Sequence, residues 1–256
     1  SNFSPPDPDM VGEDWAEMWH ERLERNVPWG IPLLHNLLDG PYWRERALSS
    51  QYDQVEAAVF VISGWADFNP SHLLRTFSKL KGPKRALIGP WGHQLPDVGI
   101  PGPRIEWLED AFRWFDYWLK GMENGIMDGP PLTLFVQEYT EPKATVRLKE
   151  PGTYRCESEW PVARRQETPM YFRSSGALAE EPPAEREAGA RDTLDYDPLV
   201  GIATGRHGNS WGRPLDQRVD EIHSLVYTSD PVDETVEVTG NPRAVLHVSS
   251  TARITL

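Results

Sequence analysis

The fold is decided by residues 57–93, which read AAVFVISGWADFNPSHLLRTFSKLKGPKRALIGPWGH. The run 57–62 is continuously apolar and rich in β-branched residues, as in strands that are buried on both faces of a parallel sheet. Residues 70–80 place apolar side chains at helical spacing after a proline in the first turn, and a second apolar run follows at 85–89. The predicted buried stripe of this helix is Leu73, Leu74, Phe77 and Leu80. Strand, helix and strand within about thirty residues predict a βαβ unit with parallel strands and a right-handed connection.

Helical segments flank this unit on both sides. Within residues 1–50, apolar side chains recur on one face at helical spacing until Pro28 ends the run. A further helix is predicted over 105–120, and Gly121 ends it. The apolar faces consist of Trp15, Met18, Trp19 and Leu23 in the first helix, and of Leu108, Phe112, Phe115 and Leu119 in the second. We expect the face of the second helix to be buried.

From Gly129 onward the pattern changes to short strands that are separated by turns. Strands are predicted at 132–136, 236–238 and 244–248, with no helical periodicity between them. This pattern favours a β-sandwich, so we place a domain boundary near residue 129.

Charge and composition exclude several classes of partner. The 26 basic and 39 acidic residues give a net charge of −13, which makes binding to nucleic acid or to an anionic membrane surface improbable. Cys156 is the only cysteine, so no internal disulfide can form, and we predict a cytoplasmic protein while leaving secretion open. The chain begins at Ser1 without methionine and stops within a strand-like run, so we expect it to be a piece of a longer protein.

Two polar residues follow the predicted parallel strands. Asp67 comes shortly after the first strand and His93 after the second. Reactive residues collect beyond the carboxyl ends of strands in such sheets, and an acid with a histidine supplies the last two members of a Ser–Asp–His triad. The alternatives are that Asp67 caps a helix or forms a turn and that His93 is simply an exposed loop residue.

An ordered series of short motifs resembles one hydrolase family. The motifs are Gly64-Trp65-Ala66-Asp67, Gly89-Pro90-Trp91-Gly92-His93, the segment 113–121, Trp160-Pro161, Gly176-Ala177-Leu178, Tyr196-Asp197-Pro198, Asp216-Gln217-Arg218, Tyr227-Thr228-Ser229, Val238-Thr239-Gly240 and Ser249-Ser250. In this order they resemble the family of cocaine esterase, X-prolyl dipeptidyl-peptidase and α-amino-acid ester hydrolase. The resemblance implies a serine hydrolase of acyl esters or amides, with Asp67 as the triad acid and His93 as its base.

The resemblance also implies an architecture. Residues 1–50 would be the tail of a helical cap, residues 51–128 the C-terminal part of an α/β-hydrolase domain, and residues 129–256 a partial jelly-roll β-sandwich. The family's nucleophile lies in a Gly-x-Ser-x-Gly turn, which we expect to be absent from this chain; Ser63 comes closest but lacks both glycines. We therefore expect the nucleophilic serine and the oxyanion hole to lie upstream, and this chain alone to be inactive.

Aromatic residues surround the predicted acid and base. Trp65, Phe68 and Trp91 are predicted to line a substrate pocket, and the alternative is that they pack the edge of the domain. The histidines show no paired spacing suited to a metal, so we predict neither a metal nor another cofactor.

Besides the hydrolase, the sequence leaves two other interpretations open, and both concern the partners of this chain. A tryptophan-rich chain with a β-sandwich half is also typical of a non-catalytic carbohydrate- or partner-binding module. As a third possibility, an incomplete sheet would pair with the missing N-terminal half or form a homo-oligomer. We favour the hydrolase, whose expected partner is a small-molecule ester or amide substrate, because the ordered motif set is specific to it.

Overall fold

The computed structural model describes residues 4–28, 30–67, 70–184, 189–201 and 215–252. It divides the chain into two compact units, Ser1–Tyr52 and Asp53–Leu256. Phe68 and the C-terminal residues 253–256 lie outside the described ranges.

The first unit is helical within its described residues, as the sequence predicts. Its helices are α1 (Pro8–Val11), α2 (Trp15–Arg25), α3 (Gly30–His35) and α4 (Pro41–Arg46). In α1 the Asp7 side chain accepts a hydrogen bond from the amide of Asp9 and so caps the helix. In α2 the rings of Trp15 and Trp19 stack with centroids 6.3 Å apart, as their helical spacing requires.

The second unit is built around a four-stranded mixed sheet. Its strands are β1 (Val59–Gly64), β2 (Lys84–Gly89), β3 (Leu132–Gln137) and β4 (Gly152–Glu157), in that spatial order. β1 with β2 and β2 with β3 are parallel, whereas β3 with β4 is antiparallel. Short strands β5 (Tyr171–Phe172) and β6 (Leu178–Ala179) form a separate pair, and α7 (Arg218–Glu221) follows.

The predicted βαβ unit is confirmed. Strands β1 and β2 run in parallel from the pair Val59–Lys84 to the pair Gly64–Gly89, and helix α5 (Pro70–Lys79) connects them. The predicted stripe of α5 faces the core, since Leu74, Phe77 and Leu80 are buried and Leu73 packs against the same cluster. Burial of each Leu or Phe side chain contributes about 1.5–3 kcal/mol, so this stripe is the main attachment of α5 to the sheet.

Helix α6 (Leu108–Lys120) forms where predicted, but its predicted buried stripe is wrong. The helix ends at Gly121, whose φ of 68° places it in the left-handed region that favours glycine. Its contact with the sheet is through Trp114, which is buried with its ring 5.5 Å from that of Phe60 in β1. Leu108, Phe112, Phe115 and Leu119 are all exposed. The helix carries apolar side chains on more than one face, and periodicity alone does not say which face meets the sheet.

The C-terminal region differs from the predicted run of strands. Strand β3 forms as predicted, but it extends the parallel sheet of β1 and β2 rather than starting a separate β-sandwich. The strands predicted at 236–238 and 244–248 are wrong, because both segments are irregular with exposed apolar side chains. A strand needs a neighbour for its backbone hydrogen bonds, and no described residue forms a ladder with either segment.

A buried carboxylate on β4 organises a cluster of charges. The side chain of Glu157 is 5% exposed; both of its oxygens accept hydrogen bonds from Arg164, at 2.6 and 2.7 Å. Arg155 forms an ion pair with the same carboxylate at 2.6 Å, and also contacts Glu237 and Thr239. The hydrogen bond from Arg164 is the largest cause that lowers the pKa of Glu157 below its ordinary 4.5. These contacts attach the irregular segment 237–239 to the sheet.

Replacing Glu157 with glutamine is expected to lower the free energy of unfolding by about 1–2 kcal/mol, because the change leaves Arg155 without its buried counter-charge. The expected loss in the free energy of unfolding is small because Arg164 is largely exposed and water screens its charge. Urea unfolding of the variant measures the change, and the exposed Glu159→Gln is the matched control. Equal stability of the two variants would contradict a stabilising role for the cluster.

The pH dependence of this contribution has a definite sign. Because the folded pKa of Glu157 is depressed, the stabilisation is present above the unfolded value near 4.5 and is lost as the pH falls below it. The stability difference between the wild type and Glu157→Gln should therefore shrink on acidification below pH 4.5, which unfolding curves over that range will measure.

Candidate active site

The candidate site lies where β1 and β2 end side by side. The loops after these strands are held together by main-chain hydrogen bonds. The amide of Trp65 donates to the carbonyl of Gly89 at 2.8 Å, and the amide of Ala66 donates to the carbonyl of Trp91 at 3.0 Å. Adjacent parallel strands thus bring two loops, far apart in sequence, to one edge of the sheet.

A glycine makes this close approach of the two loops possible. A Cβ atom on Gly64, the last residue of β1, would lie 1.9 Å from the carbonyl oxygen of Trp91. No side chain fits at that distance, so the main chains meet here only because residue 64 has none.

The structure brings the predicted acid and base together. Nδ1 of His93 lies 3.1 Å from Oδ1 and 3.2 Å from Oδ2 of Asp67, so the ring nitrogen bridges both carboxylate oxygens. The Asp67 side chain is 14% exposed, whereas that of His93 is 52% exposed. The acid is therefore sheltered by protein, and the imidazole reaches the surface where a substrate can approach.

The contact between His93 and Asp67 favours the histidine tautomer that general-base catalysis needs. When Nδ1 carries the proton it donates to the carboxylate, and Nε2 is then the nitrogen that accepts a proton from a nucleophile. A carboxylate in this position can also stabilise an imidazolium ion. Asp67 and His93 can thus act as the orienting acid and the base of a hydrolytic triad.

The two described aromatic residues beside the pair, Trp65 and Trp91, pack within the protein. Trp91 is fully buried, and its indole nitrogen donates to the carbonyl of Pro103 at 2.8 Å. Trp65 packs against the core cluster and donates from its indole nitrogen to the carbonyl of Phe135 at 2.6 Å. These contacts favour the alternative weighed from the sequence, that both tryptophans pack the domain edge. Phe68, the third predicted pocket residue, lies outside the described residues.

Ser63 is poorly placed for a nucleophile. It lies within β1 opposite Ile88, its residue is 6% exposed, and its Oγ is buried without a hydrogen-bond partner among the described residues. A substrate carbonyl cannot reach an oxygen that the surrounding sheet covers, so Ser63 fits a structural role in the strand.

The expectation that this chain lacks a Gly-x-Ser-x-Gly motif is wrong, because one occurs in the C-terminal part of the sequence. Gly208-Asn209-Ser210-Trp211-Gly212 matches Gly-x-Ser-x-Gly. These residues lie outside the described ranges, and the serine follows His93 in the chain, whereas α/β-hydrolases have the order Ser, acid, His. A five-residue pattern with two free positions has little specificity without a strand before it and a helix after it.

The described residues contain neither a candidate metal site nor a candidate membrane span. No cluster of three or more His, Cys, Asp or Glu side chains there has a geometry that could hold a metal ion. Within the same ranges, no helix is both long and apolar enough to span a membrane.

Comparison with known families covers most of the chain. Residues 4–95 match the X-Pro dipeptidyl-peptidase (S15 family), and residues 124–255 match the X-Pro dipeptidyl-peptidase C-terminal non-catalytic domain. The described sheet is of mixed α/β structure, and both matching models belong to the X-Pro dipeptidyl-peptidases. The chain belongs to the X-Pro dipeptidyl-peptidase family, which confirms the resemblance that the ordered motifs predicted.

Individual relatives are similar at modest identity. Cocaine esterase from Rhodococcus sp. (strain MB1 Bresler) is 26% identical over 268 residues, which cover 90% of this chain and 42% of the esterase. A solved CocE/NonD family hydrolase from Staphylococcus aureus aligns with a TM-score of 0.46 and 16% identity, over 65% of this chain and 29% of that chain. The chain spans less than half of the length of the curated relatives that it matches.

Proposed function

We propose that this chain supplies the general base His93 and the orienting acid Asp67 of a serine hydrolase that cleaves acyl esters or amides. The observation that carries the proposal is the contact of Nδ1 of His93 with both oxygens of Asp67, at the ends of adjacent parallel strands. The family match supports it from a separate direction, since its named relatives include esterases and X-Pro dipeptidyl-peptidases. X-prolyl peptides are therefore among the proposed substrates.

The proposed chemistry is acyl transfer through a covalent intermediate. A serine hydroxyl attacks the carbonyl carbon of the substrate while His93 accepts its proton, and Asp67 stabilises the resulting imidazolium. The proton then passes to the leaving alcohol or amine as the acyl-enzyme forms. Water attacks the acyl-enzyme in the same way, which releases the carboxylic acid and restores the serine. The mechanism requires no metal or cofactor.

The proposed layout divides the chain into three parts. Residues 1–50 are the tail of a helical cap, and residues 51–128, together with the strands β3 and β4 that complete their sheet, are the C-terminal part of an α/β-hydrolase domain. The residues that follow β4, up to 256, are part of a jelly-roll domain. The matches to a peptidase over 4–95 and to a non-catalytic domain over 124–255 support this order. We place the nucleophilic serine upstream in the complete protein, so the missing half is the proposed partner of this chain.

A fluorophosphonate probe tests the location of the nucleophile. Such a probe forms a covalent adduct with an activated serine, and intact-mass measurement counts the adducts. We expect no adduct on this chain, because the buried Ser63 has no access to the probe, and one adduct on the complete protein. The His93→Ala variant of the complete protein should not react, since its serine has lost the base.

Peptide mapping decides what an unexpected adduct means. A stoichiometric adduct on this chain, abolished by Ser63→Ala or Ser210→Ala, would overturn the upstream placement of the nucleophile. An adduct that persists in full on the His93→Ala form of the complete protein would overturn the assignment of the base.

A further inference from the structure

Trp91 is a buried side chain, whereas a residue that lines a pocket has exposed surface. The side chain has no exposed surface, and its indole N–H donates to the carbonyl of Pro103. Two glycines leave the space that the ring occupies. A Cβ on Gly89 would lie 2.5 Å from the indole carbons, and one on Gly99 would lie 2.4 Å from them. The ring is therefore fixed from two sides and at its nitrogen.

The main chain of Trp91 accepts a hydrogen bond from the residue before Asp67 and lies two residues before His93 in the chain. Its carbonyl accepts the hydrogen bond from Ala66, the residue directly before Asp67. On the other side, the amide of Gly92 donates to the carbonyl of Ile100 at 2.9 Å, directly before His93. Trp91 thus contacts the backbone next to the acid through a hydrogen bond and the backbone next to the base through the chain, so we expect a shift of Trp91 to affect both.

We propose that Trp91 is a positioning residue, whose ring, held by Gly89 and Gly99, sets the distance between Asp67 and His93. The proposal rests on the function proposed above for that pair. A substrate cannot contact a ring with no exposed surface, so the effect of Trp91 on catalysis acts through the pair. This assignment replaces the pocket-lining role that the sequence suggested for the residue.

The expected consequence is a loss in kcat without a matching change in KM. Misplacement of a catalytic group by about 1 Å can lower the rate by about a hundredfold, and we expect this loss for Trp91→Ala in the complete protein. Because the ring does not touch the substrate, KM should stay within about twofold of the wild type. Trp91→Phe keeps an aromatic ring but loses the N–H, so its kcat should fall between those of the wild type and Trp91→Ala.

The experiment needs a control tryptophan and a variant that leaves Trp91 in place. Trp107 donates from its indole nitrogen to Asp97 at 3.0 Å in the loop that follows, so Trp107→Phe removes a comparable hydrogen bond away from the pair. Gly99→Ala displaces the ring of Trp91 from the opposite side without altering its chemistry. We expect Gly99→Ala to lower kcat like Trp91→Ala and Trp107→Phe to leave it unchanged.

Proton NMR reports on the contact between His93 and Asp67 directly, and so separates a change in this contact from a general loss of stability. A proton shared between Nδ1 of His93 and the carboxylate of Asp67 resonates far downfield, and His93→Ala identifies the signal by removing it. We expect Trp91→Ala and Gly99→Ala to shift or broaden this signal while circular dichroism shows a folded protein. Trp107→Phe should leave the signal unchanged.

The outcomes separate this inference from the proposed function. If His93→Ala keeps full activity, the proposed function fails. If His93→Ala is inactive while the Trp91 variants keep both kcat and the downfield signal, the positioning role fails alone. A raised KM at unchanged kcat would also overturn it, since Trp91 would then line the pocket. If Trp91→Ala does not fold, Trp91→Phe and Gly99→Ala decide by the same criteria.

Discussion

Replacing His93 with alanine is expected to lower kcat of the complete protein by about a millionfold, the size of effect seen when a triad base is removed. Without the imidazole the attacking hydroxyl loses its general base, and the remaining rate comes from substrate binding and oxyanion stabilisation. Steady-state hydrolysis of an activated acyl ester measures the effect. The His93 side chain is half exposed, so the fold should survive the change.

A second histidine provides the matched control for this experiment. His72 lies exposed on α5, the helix between the two strands of the site. We expect His72→Ala to retain wild-type kcat and KM. Full activity of His93→Ala, together with an unchanged circular dichroism spectrum, would show that another residue acts as the base.

Replacing Asp67 with asparagine is expected to lower kcat by about ten-thousandfold. The amide is nearly isosteric with the carboxylate, so the two loops should keep their positions. Its NH2 group, however, favours the wrong tautomer of His93, and the lost negative charge no longer stabilises the imidazolium. Because both effects act only when the proton moves, kcat and kcat/KM should fall together while KM changes little.

The control for this variant is an exposed carboxylate outside the site. Asp53 is exposed and precedes β1, so Asp53→Asn changes the net charge equally without touching His93. A small loss for Asp67→Asn, within about tenfold, would indicate that Asp67 only forms a turn, as the alternative interpretation of its position held.

The sequence determined the βαβ unit because its signals are local. A continuous apolar run predicts a strand buried on both faces, and the spacing of Leu73, Leu74 and Phe77 fixes which face of α5 is apolar. Each pattern depends on the chain within a few residues, and each matches an element of the structure. The sequence also put Asp67 and His93 at one sheet edge, since parallel neighbouring strands end on the same side.

Two interpretations failed because the sequence does not show which neighbour covers an apolar surface. The predicted stripe of α6 is exposed, while Trp114 turns to Phe60 in β1. The segment 236–248 is rich in β-branched residues, yet it forms no ladder with any described residue. In both cases the local pattern permits an element or a face, and only a long-range partner decides whether it forms or is buried.

What only the tertiary structure decided is how the two loops of the site are held. The sequence placed Trp65 and Trp91 beside the acid and the base, but that proximity is equally compatible with a pocket and with a core. The structure buries Trp91 between Gly89 and Gly99 and bonds its carbonyl to Ala66, contacts that are remote in sequence or depend on strand pairing. Local periodicity thus determined the elements and their order, and close packing across the sheet edge decided which side chains orient the pair.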